Sequence, residues 1–407
     1  MKNVLYRFIE SSEVERVGML IAFLLVENNI TFLPNVGPLY YLFMLIALLF
    51  LLLKQQSSCG SLLMLGLYIA CILSIVNNDI PAFFQPWQRF FTFLLITALV
   101  SPTIYNETFV RFKTQSFITI VRLLQYVIFA SAIYGLMGGG YKFKYFQGIT
   151  NHSMILGPFA AICTLFCVLQ LLAHPDKKKL KIRYGVLLLV ALFCLLQAAS
   201  RTAFLATIVA VMVFLAVYYR NALGRYMKIV IAICVMLFLT FPVWSRYTDK
   251  LESKNMGNIA ELNINSREEH WEQRWIEFKS SPFIGIGFSV VSTTSRTGST
   301  FSQDGKVETG SSWLSLLSMT GLFGFLAFLA VFVNGLRKAW NLWAETPLLS
   351  GFLIAILCFW ILHMMAEGYI FAGGNSLAFC VWLTLGTVYG IASNNQIAHE
   401  LQQKLAE

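Results

Sequence analysis

Residues 312–335 read SWLSLLSMTGLFGFLAFLAVFVNG and contain no charged side chain. A helix of about 20 apolar residues matches the thickness of the hydrocarbon core of a bilayer, so this stretch is long enough to span a membrane. Similar stretches recur along the chain, in which 57% of the residues are hydrophobic and 12% are charged. This composition excludes a soluble globule, and the segments lack the alternation of a transmembrane β-barrel. The sequence therefore predicts an all-α, polytopic membrane protein.

Apolar segments of this kind occur twelve times in the 407 residues. They lie at residues 17–33, 37–53, 60–77, 89–106, 115–137, 153–173, 184–200, 202–219, 227–245, 312–335, 346–366 and 369–392. We expect them to form about 12 transmembrane helices in a single membrane domain over residues 1–407. An even number of spans puts both termini on the same side of the membrane.

Basic residues are unevenly divided between the two sets of connections. If the N-terminus is inside, the outer short connections hold only Arg89, Lys142, Lys144 and Arg201, whereas the inner ones are rich in Lys and Arg. The positive-inside rule then makes both termini cytoplasmic. The net charge of +10 is explained largely by these inner connections, which lie beside anionic lipid, and it requires no nucleic-acid partner.

One long polar stretch, residues 246–311, separates the ninth span from the tenth. The predicted topology places it outside the membrane, as a periplasmic lid. Spacings of four and seven put Arg267, Trp271, Arg274 and Trp275 on one face of a helix. Because guanidinium groups pair with phosphate and indole faces stack on sugar rings, this pattern indicates a site for a phosphorylated glycan. A solvated amphipathic helix on the membrane surface would show the same pattern.

Two further residues are candidates for chemistry at the outer surface. Arg201 lies in a very short connection between apolar segments, where a guanidinium is costly unless it pairs with an anion; a snorkelling anchor is the alternative. Glu308 could act as a general base, although a solvated loop acid would look the same. Gly285 and Gly287 are weak evidence of a phosphate site. The sequence has no HExxH motif or paired metal-ligand spacing, so neither a metal nor a cofactor is expected.

Several motifs follow one another between residues 145 and 390. They are GITNH at residues 148–152, Ser200-Arg201, Arg267-x-x-x-Trp271, SPFIGIG at residues 281–287, SSWLSLL at residues 311–317 and GLFG at residues 321–324. Together they resemble the O-antigen ligase and polymerase superfamily of bacterial envelope glycosyltransferases, which join or extend glycans carried on undecaprenyl diphosphate. The resemblance implies that Arg201 and Arg267 bind the donor diphosphate. We predict that Arg274 assists, and that Trp271 and Trp275 shape the loop or a sugar platform.

The chain departs from the ligases of this family at one position. In those ligases a histidine begins the closing motif and activates the acceptor hydroxyl, and the equivalent position here is Gly310. We predict that Glu308, two residues upstream, is the base; the alternative is that activation depends on the leaving group and on positioning. The departure weakens the assignment as a ligase and favours a polymerase.

These inferences lead to a predicted activity. The chain is expected to be an inverting, metal-independent glycosyltransferase of the bacterial inner membrane, with its active site facing the periplasm. Its partners would be membrane lipid, an undecaprenyl-diphosphate-linked oligosaccharide as donor, and a glycan or lipid-linked acceptor. Polymerisation of repeat units is the first interpretation, and ligation to lipid A core is the second. A flippase for lipid-linked oligosaccharides is the alternative from another class, and it would be expected to contain helices interrupted near the membrane midplane.

Overall fold

The computed structural model describes residues 12–142, 145–239, 266–292, 305 and 307–406. Each of the twelve predicted segments overlaps a helix. These helices are α1 (Glu13–Glu27), α2 (Leu39–Lys54), α3 (Leu62–Val76), α4 (Pro86–Val100), α5 (Glu107–Leu136), α6 (Ser153–Ala173), α7 (Lys178–Gln197), α8 (Arg201–Tyr218), α9 (Leu223–Leu239), α11 (Ser312–Asn341), α12 (Pro347–Ala366) and α13 (Ser376–Ile391). Two more helices are α10 (Ser266–Ser280), in the long loop, and α14 (Asn395–Ala406), near the C-terminus.

Short elements join some of these helices. They are two antiparallel strand pairs, β1 (Ser58–Cys59) with β2 (Ile104–Tyr105) and β3 (Tyr141–Lys142) with β4 (Tyr145–Phe146), and 3-10 turns at Ala82–Phe84 and Leu342–Ala344. Among the described residues, six helices are long and apolar enough to cross a membrane: α5, α6, α7, α8, α11 with the turn that follows it, and α12. Helices α2, α3 and α13 are apolar but shorter. The prediction of an all-α, multi-pass membrane protein is confirmed, whereas the count of twelve crossings stays a prediction.

Polar side chains mark where helices begin. The Asn106 side chain accepts a hydrogen bond from the backbone N–H of Phe109 at 2.7 Å and caps α5. Ser311 does the same for Leu314 at 3.4 Å and caps α11. Such caps satisfy amide groups that have no partner within the helix. The start of α11, and with it the end of the long loop, is therefore determined by local sequence.

The helix ends lie at two opposite ends of the bundle. Near one end of the bundle, the Trp343 indole donates to the Val217 carbonyl at 2.8 Å. At the other end, the Ser312 backbone N–H, at the start of α11, donates to the Glu367 carbonyl at 2.9 Å. We call the end that holds Arg201 and Ser312 the cavity end, and the opposite end, which holds Lys178, the basic end.

Helix α14 packs across the bundle instead of extending from it. Its apolar face, made by Ile397, Ala398, Leu401 and Leu405, is buried. The last carbonyl groups of α14 accept hydrogen bonds from Arg122 in α5 and Gln170 in α6, and His174 contacts the carbonyl of Ala406. These contacts satisfy the helix end that carries a partial negative charge. Arg122 therefore has a structural role at the end of α14.

Helix α11 is interrupted at Gly321, which has a φ of 65° and a ψ of −168°. The interruption releases backbone groups, and the loop segment 282–286 satisfies several of them. The N–H of Leu322 donates to the Pro282 carbonyl at 2.7 Å, and the Ser318 carbonyl accepts from the N–H of Ile286 at 2.8 Å. The long loop is thereby joined to the helix that follows it.

Candidate active site

The glycines of the SPFIGIG motif permit close approach of two backbones. Gly285 has a φ of 79°, and a Cβ there would meet the backbone of Met319 in α11. A Cβ on Gly321 would meet the backbone of Phe283 from the other side. Only glycine combines a positive φ with so little room. Residues 281–287 therefore form a docking segment, and Gly285 is explained without the phosphate site for which the two glycines were weak evidence.

Helix α10 faces the protein with polar side chains. Arg274 is 1% exposed and Glu277 is 3% exposed, and their side chains form an ion pair with an N–O distance of 2.5 Å. The same carboxylate oxygen accepts hydrogen bonds from the backbone N–H and the hydroxyl of Ser292, at 2.6 and 2.7 Å. Trp271 and Trp275 are 38% and 45% exposed. Arg274 is thus buried whereas Trp271 and Trp275 are partly exposed, and the joint use of these residues in one site stays a prediction.

Burial dominates the electrostatics of the Arg274–Glu277 pair. It raises the pKa of the Glu277 carboxyl, an effect that the positive charge of Arg274 and the hydrogen bonds of Ser292 partly offset. Burial lowers the pKa of the Arg274 guanidinium, although Glu277 opposes the change. A guanidinium that is buried and paired in this way is not exposed to a substrate. We therefore assign Arg274 to positioning of α10 and not to direct contact with a diphosphate, which corrects the sequence-based role.

Trp271 connects α10 to the end of the long loop. Its indole N–H donates to the carbonyl of Gly310 at 3.0 Å. Gly310 has a φ of 66°, and a Cβ there would lie 3.0 Å from the Cβ of His270. The position expected to hold a histidine therefore has a backbone conformation and a neighbour that favour glycine. This hydrogen bond joins Trp271 to the end of the long loop, and its predicted roles in shaping the loop and as a sugar platform stay predictions.

The structure describes the side chains of Arg201 and Glu308 but only the backbone of Arg267. Arg201 is the first residue of α8 and is exposed at the cavity end. The turn before it is tight: Ala199 has a φ of 53°, and the Ser200 hydroxyl accepts from the N–H of Ala203 at 3.4 Å. Glu308 is exposed near the start of α11. The backbone of Arg267 lies in the first turn of α10, but its side chain, like residues 246–265, lies outside the described part of the chain.

A polar cavity of about 530 Å³ opens at the cavity end. It lies among the start of α4, the connection between α12 and α13, residues 307–309 and the first turns of α11. The lining residues are Tyr41, Gln85, Gln88, Arg89, Thr92, Ser289, Val307, Thr309, Ser315, Met319, Gly368, Tyr369, Ile370, Phe371, Ala372, Gly373 and Gly374. Among these described lining residues, Arg89 is the one whose side chain is charged at neutral pH.

Arg89 is held in place by the long loop. Its guanidinium donates to the hydroxyl of Ser289 at 3.0 Å and to the carbonyl of Gly305. From the sequence alone, Arg89 is only one of the few basic residues in the outer connections. Arg89 and Arg201 nevertheless share one feature of the sequence. Both are arginines in the predicted outer connections, which contain few basic residues.

An apolar groove of about 280 Å³ lies on the other side of the α11 interruption. Its lining residues are Ala70, Leu73, Phe283, Ile284, Thr320, Leu322, Phe323 and Leu326. Met319 lines the polar cavity and the next residue, Thr320, lines the groove. A polar recess and an apolar recess therefore flank the same break in α11.

This architecture defines a multi-pass helical membrane protein with a polar cavity beside one interrupted helix. Residues 186–329 match the family model described as O-antigen ligase. The matched region includes Arg201, Arg267, the docking segment and the interrupted part of α11. The predicted resemblance to the O-antigen ligase and polymerase superfamily is confirmed, and it indicates a membrane glycosyltransferase of that type. No curated protein matches the chain.

Proposed function

We propose that this chain is a polymerase of the bacterial inner membrane that extends an envelope glycan at the periplasmic side. The donor would be an oligosaccharide on undecaprenyl diphosphate, and the acceptor would be a sugar hydroxyl of another repeat unit. The observation that supports this proposal most is the polar cavity at the end of the bundle that holds Arg201 and Glu308. Its amide, hydroxyl and aromatic side chains suit a sugar, and its volume is in the usual range for ligand sites.

The arginines would supply the positive charge that the reaction requires. The acceptor oxygen attacks the anomeric carbon from the face opposite the leaving group, and the bond from that carbon to the diphosphate oxygen breaks. The bonding electron pair goes to the diphosphate, so negative charge grows there in the transition state. Arg201 and Arg267 would stabilise this charge. Arg89, inside the cavity, adds a third guanidinium that the sequence-based proposal did not include.

Glu308 is the proposed acceptor of the hydroxyl proton. It lies on the segment that borders the cavity, next to the lining residues Val307 and Thr309. It is exposed. Since Gly310 cannot supply the side chain of a ligase histidine, the proton goes either to Glu308 or to the departing diphosphate. A Glu308→Gln variant separates these routes, because it slows only the first.

The apolar groove offers a place for the lipid part of the donor. A polyprenyl chain needs apolar surface and the attached glycan needs hydrogen-bond partners, and these two surfaces flank the break at Gly321. The same donor arrangement would serve ligation to lipid A core. The two activities differ in the acceptor, which a reconstituted assay can vary.

One observation favours the flippase alternative. Helix α11 is interrupted, as helices of many transporters are at their substrate sites. Here, however, Pro282 and Ile286 use backbone groups of the interruption for their own hydrogen bonds. Those groups are therefore occupied by the protein instead of being offered to a transported substrate, and the glycosyltransferase proposal remains first.

The test is reconstitution of the purified protein in liposomes with an undecaprenyl-diphosphate-linked repeat unit, alone and with lipid A core. A ladder of longer lipid-linked glycans supports polymerisation, and a single transfer to core supports ligation. Movement of intact donor across the bilayer without a new glycosidic bond would support the flippase and overturn the proposal.

Arginine variants test the mechanism in the same assay. A hydrogen bond to a charged group contributes about 1.5–3 kcal/mol, so Arg201→Gln and Arg89→Gln should each lower kcat/KM by about 10- to 150-fold. Lys178→Gln, an exposed cation at the basic end, is the matched control and should leave the rate unchanged. Wild-type rates for both arginine variants would refute the assigned roles.

A further inference from the structure

A second, smaller pocket of about 130 Å³ lies at the basic end of the bundle. It is formed by the paired strands β1 and β2, the start of α5 and the ends of α11 and α13. The lining residues are Cys59, Gly60, Pro102, Ile104, Tyr105, Val110, Lys113, Lys338, Gly386, Tyr389, Gly390 and Ser393. Two of them are lysines, Lys113 and Lys338, and no carboxylate is among these described residues.

Lys113 is the more deeply buried of the two cations, with 2% exposure. Its ammonium donates to the carbonyls of Ser101 at 2.6 Å and Ile104 at 2.9 Å. An ammonium group has three N–H donors, so these two carbonyls leave one donor, and the ammonium also lies 5.4 Å from the centre of the Phe109 ring. Neither the neutral carbonyls nor the ring brings a negative charge to this ammonium.

Lys338 also lines the pocket and is half-buried. Its ammonium is 5.3 Å from the centre of the Tyr389 ring. A cation–π contact of this kind is attractive but brings no negative charge. In the described part of the chain, neither Lys113 nor Lys338 has a carboxylate within salt-bridge distance.

Capping explains only part of this arrangement. Ser101 follows the last residue of α4, so Lys113 satisfies a carbonyl at a helix C-terminus, where a cation is favourable. Capping does not account for the second lysine, for the pocket between the two, or for burial of a charge without an anion, which costs several kcal/mol per ion.

We propose that this pocket binds a phosphate group through Lys113 and Lys338. The volume suits a group of that size. The phosphate can come from the head group of an anionic membrane lipid or from free phosphate. Basic pockets at the ends of membrane helices commonly bind anionic head groups. This phosphate site lies at the basic end, and the proposal does not depend on the proposed activity at the cavity end.

The experiment compares the full-length protein in three environments: nanodiscs of phosphatidylcholine, the same nanodiscs with added inorganic phosphate, and nanodiscs that contain phosphatidylglycerol. The measured quantity is the rate at which a protease cleaves the protein after it unfolds. A ligand that binds only the folded state protects by a factor of about 100 at 100 times its dissociation constant. We expect protection of the wild type by at least one of the two anions, and the protecting arm identifies the source.

Three variants determine where the anion acts. Lys113→Met and Lys338→Gln should abolish the protection, whereas Lys178→Gln, an exposed cation at the same end, should retain it. Lys338→Gln decides the result if loss of the Lys113 cap prevents folding, because Lys338 makes no backbone cap. Absence of protection in the wild type, or equal protection in the wild type and Lys338→Gln, would overturn the proposal.

Discussion

The buried ion pair of α10 gives a quantitative test of how the long loop is held. Arg274→Met removes the cation and keeps much of the side-chain volume, but it leaves the Glu277 carboxylate 3% exposed without its charged partner. Breaking a buried pair from one side costs about 3–5 kcal/mol, because the remaining charge is uncompensated. At about 1.4 kcal/mol per factor of ten, the loop should open locally about 100 to 5,000 times more often.

Hydrogen exchange measures this opening directly. The amides of residues 266–292 should lose protection in Arg274→Met, whereas amides in the middle of α5 should keep theirs. Lys279→Met, which removes an exposed cation from the same helix, is the matched control and should change protection by less than about 1 kcal/mol.

A second change separates charge burial from loss of contacts. Arg274→Met combined with Glu277→Gln leaves no buried charge, and the amide oxygen of Gln can still accept from Ser292. The double variant should therefore recover protection to within about 1 kcal/mol of the wild type. If it is as unprotected as Arg274→Met alone, the charge reasoning fails.

The same pair predicts a pH response with a definite sign. Because burial raises the pKa of Glu277, the folded state takes up a proton at a higher pH than the unfolded state does. The contribution of this carboxyl to stability is therefore most favourable at low pH, and it declines as the pH rises through the folded-state pKa. Mild acid should keep or increase loop protection in the wild type, and Glu277→Gln should remove this dependence.

Three further predictions concern backbone conformation and the C-terminal helix. Gly285→Ala places a Cβ against the backbone of Met319 at a positive φ, so it should undock the loop segment and lower activity, as hydrogen exchange and the polymerisation assay would show. Gly310→His should not create a ligase, because the left-handed conformation costs a non-glycine residue about 1–2 kcal/mol; gain of transfer to lipid A core would contradict this. Deletion of residues 395–406 removes buried Ile397 and Leu401, each contributing about 1.5–3 kcal/mol, and should lower the Tm of the detergent-solubilised protein.

The helices were predictable because the features that form them lie within each segment of the sequence. Apolar segments of membrane length and the N-cap at Ser311 require no knowledge of neighbouring elements. The orientation of α10 does require it. Residues 274 and 275 point about 100° apart on any helix, and the side that faces inward contacts Ser292, which lies 15 residues after Glu277.

Arg89 illustrates a different limit of the sequence. Its position at the start of an apolar helix resembles a topological charge, and its partners, Ser289 and Gly305, are about 200 residues away in the chain. Contacts of that sequence separation follow from the path of the long loop, which no periodicity reveals. Gly310 shows the converse, because sequence reasoning identified the unusual position and the structure supplied the reason in its positive φ.

The interruption of α11 and the cavity form one mechanical unit. Residues 282–286 are hydrogen-bonded into the break, and Ser289, three residues beyond Ile286, holds Arg89 at the cavity. The docking of the loop at the break thus determines where Ser289 lies beside Arg89, the one charged residue among the described residues that line the cavity. An interrupted helix is expected of a transporter when its free backbone groups bind the substrate, but here those groups bind the loop that builds the cavity. The same feature that suggests transport therefore fits a transferase whose site is assembled by its long loop.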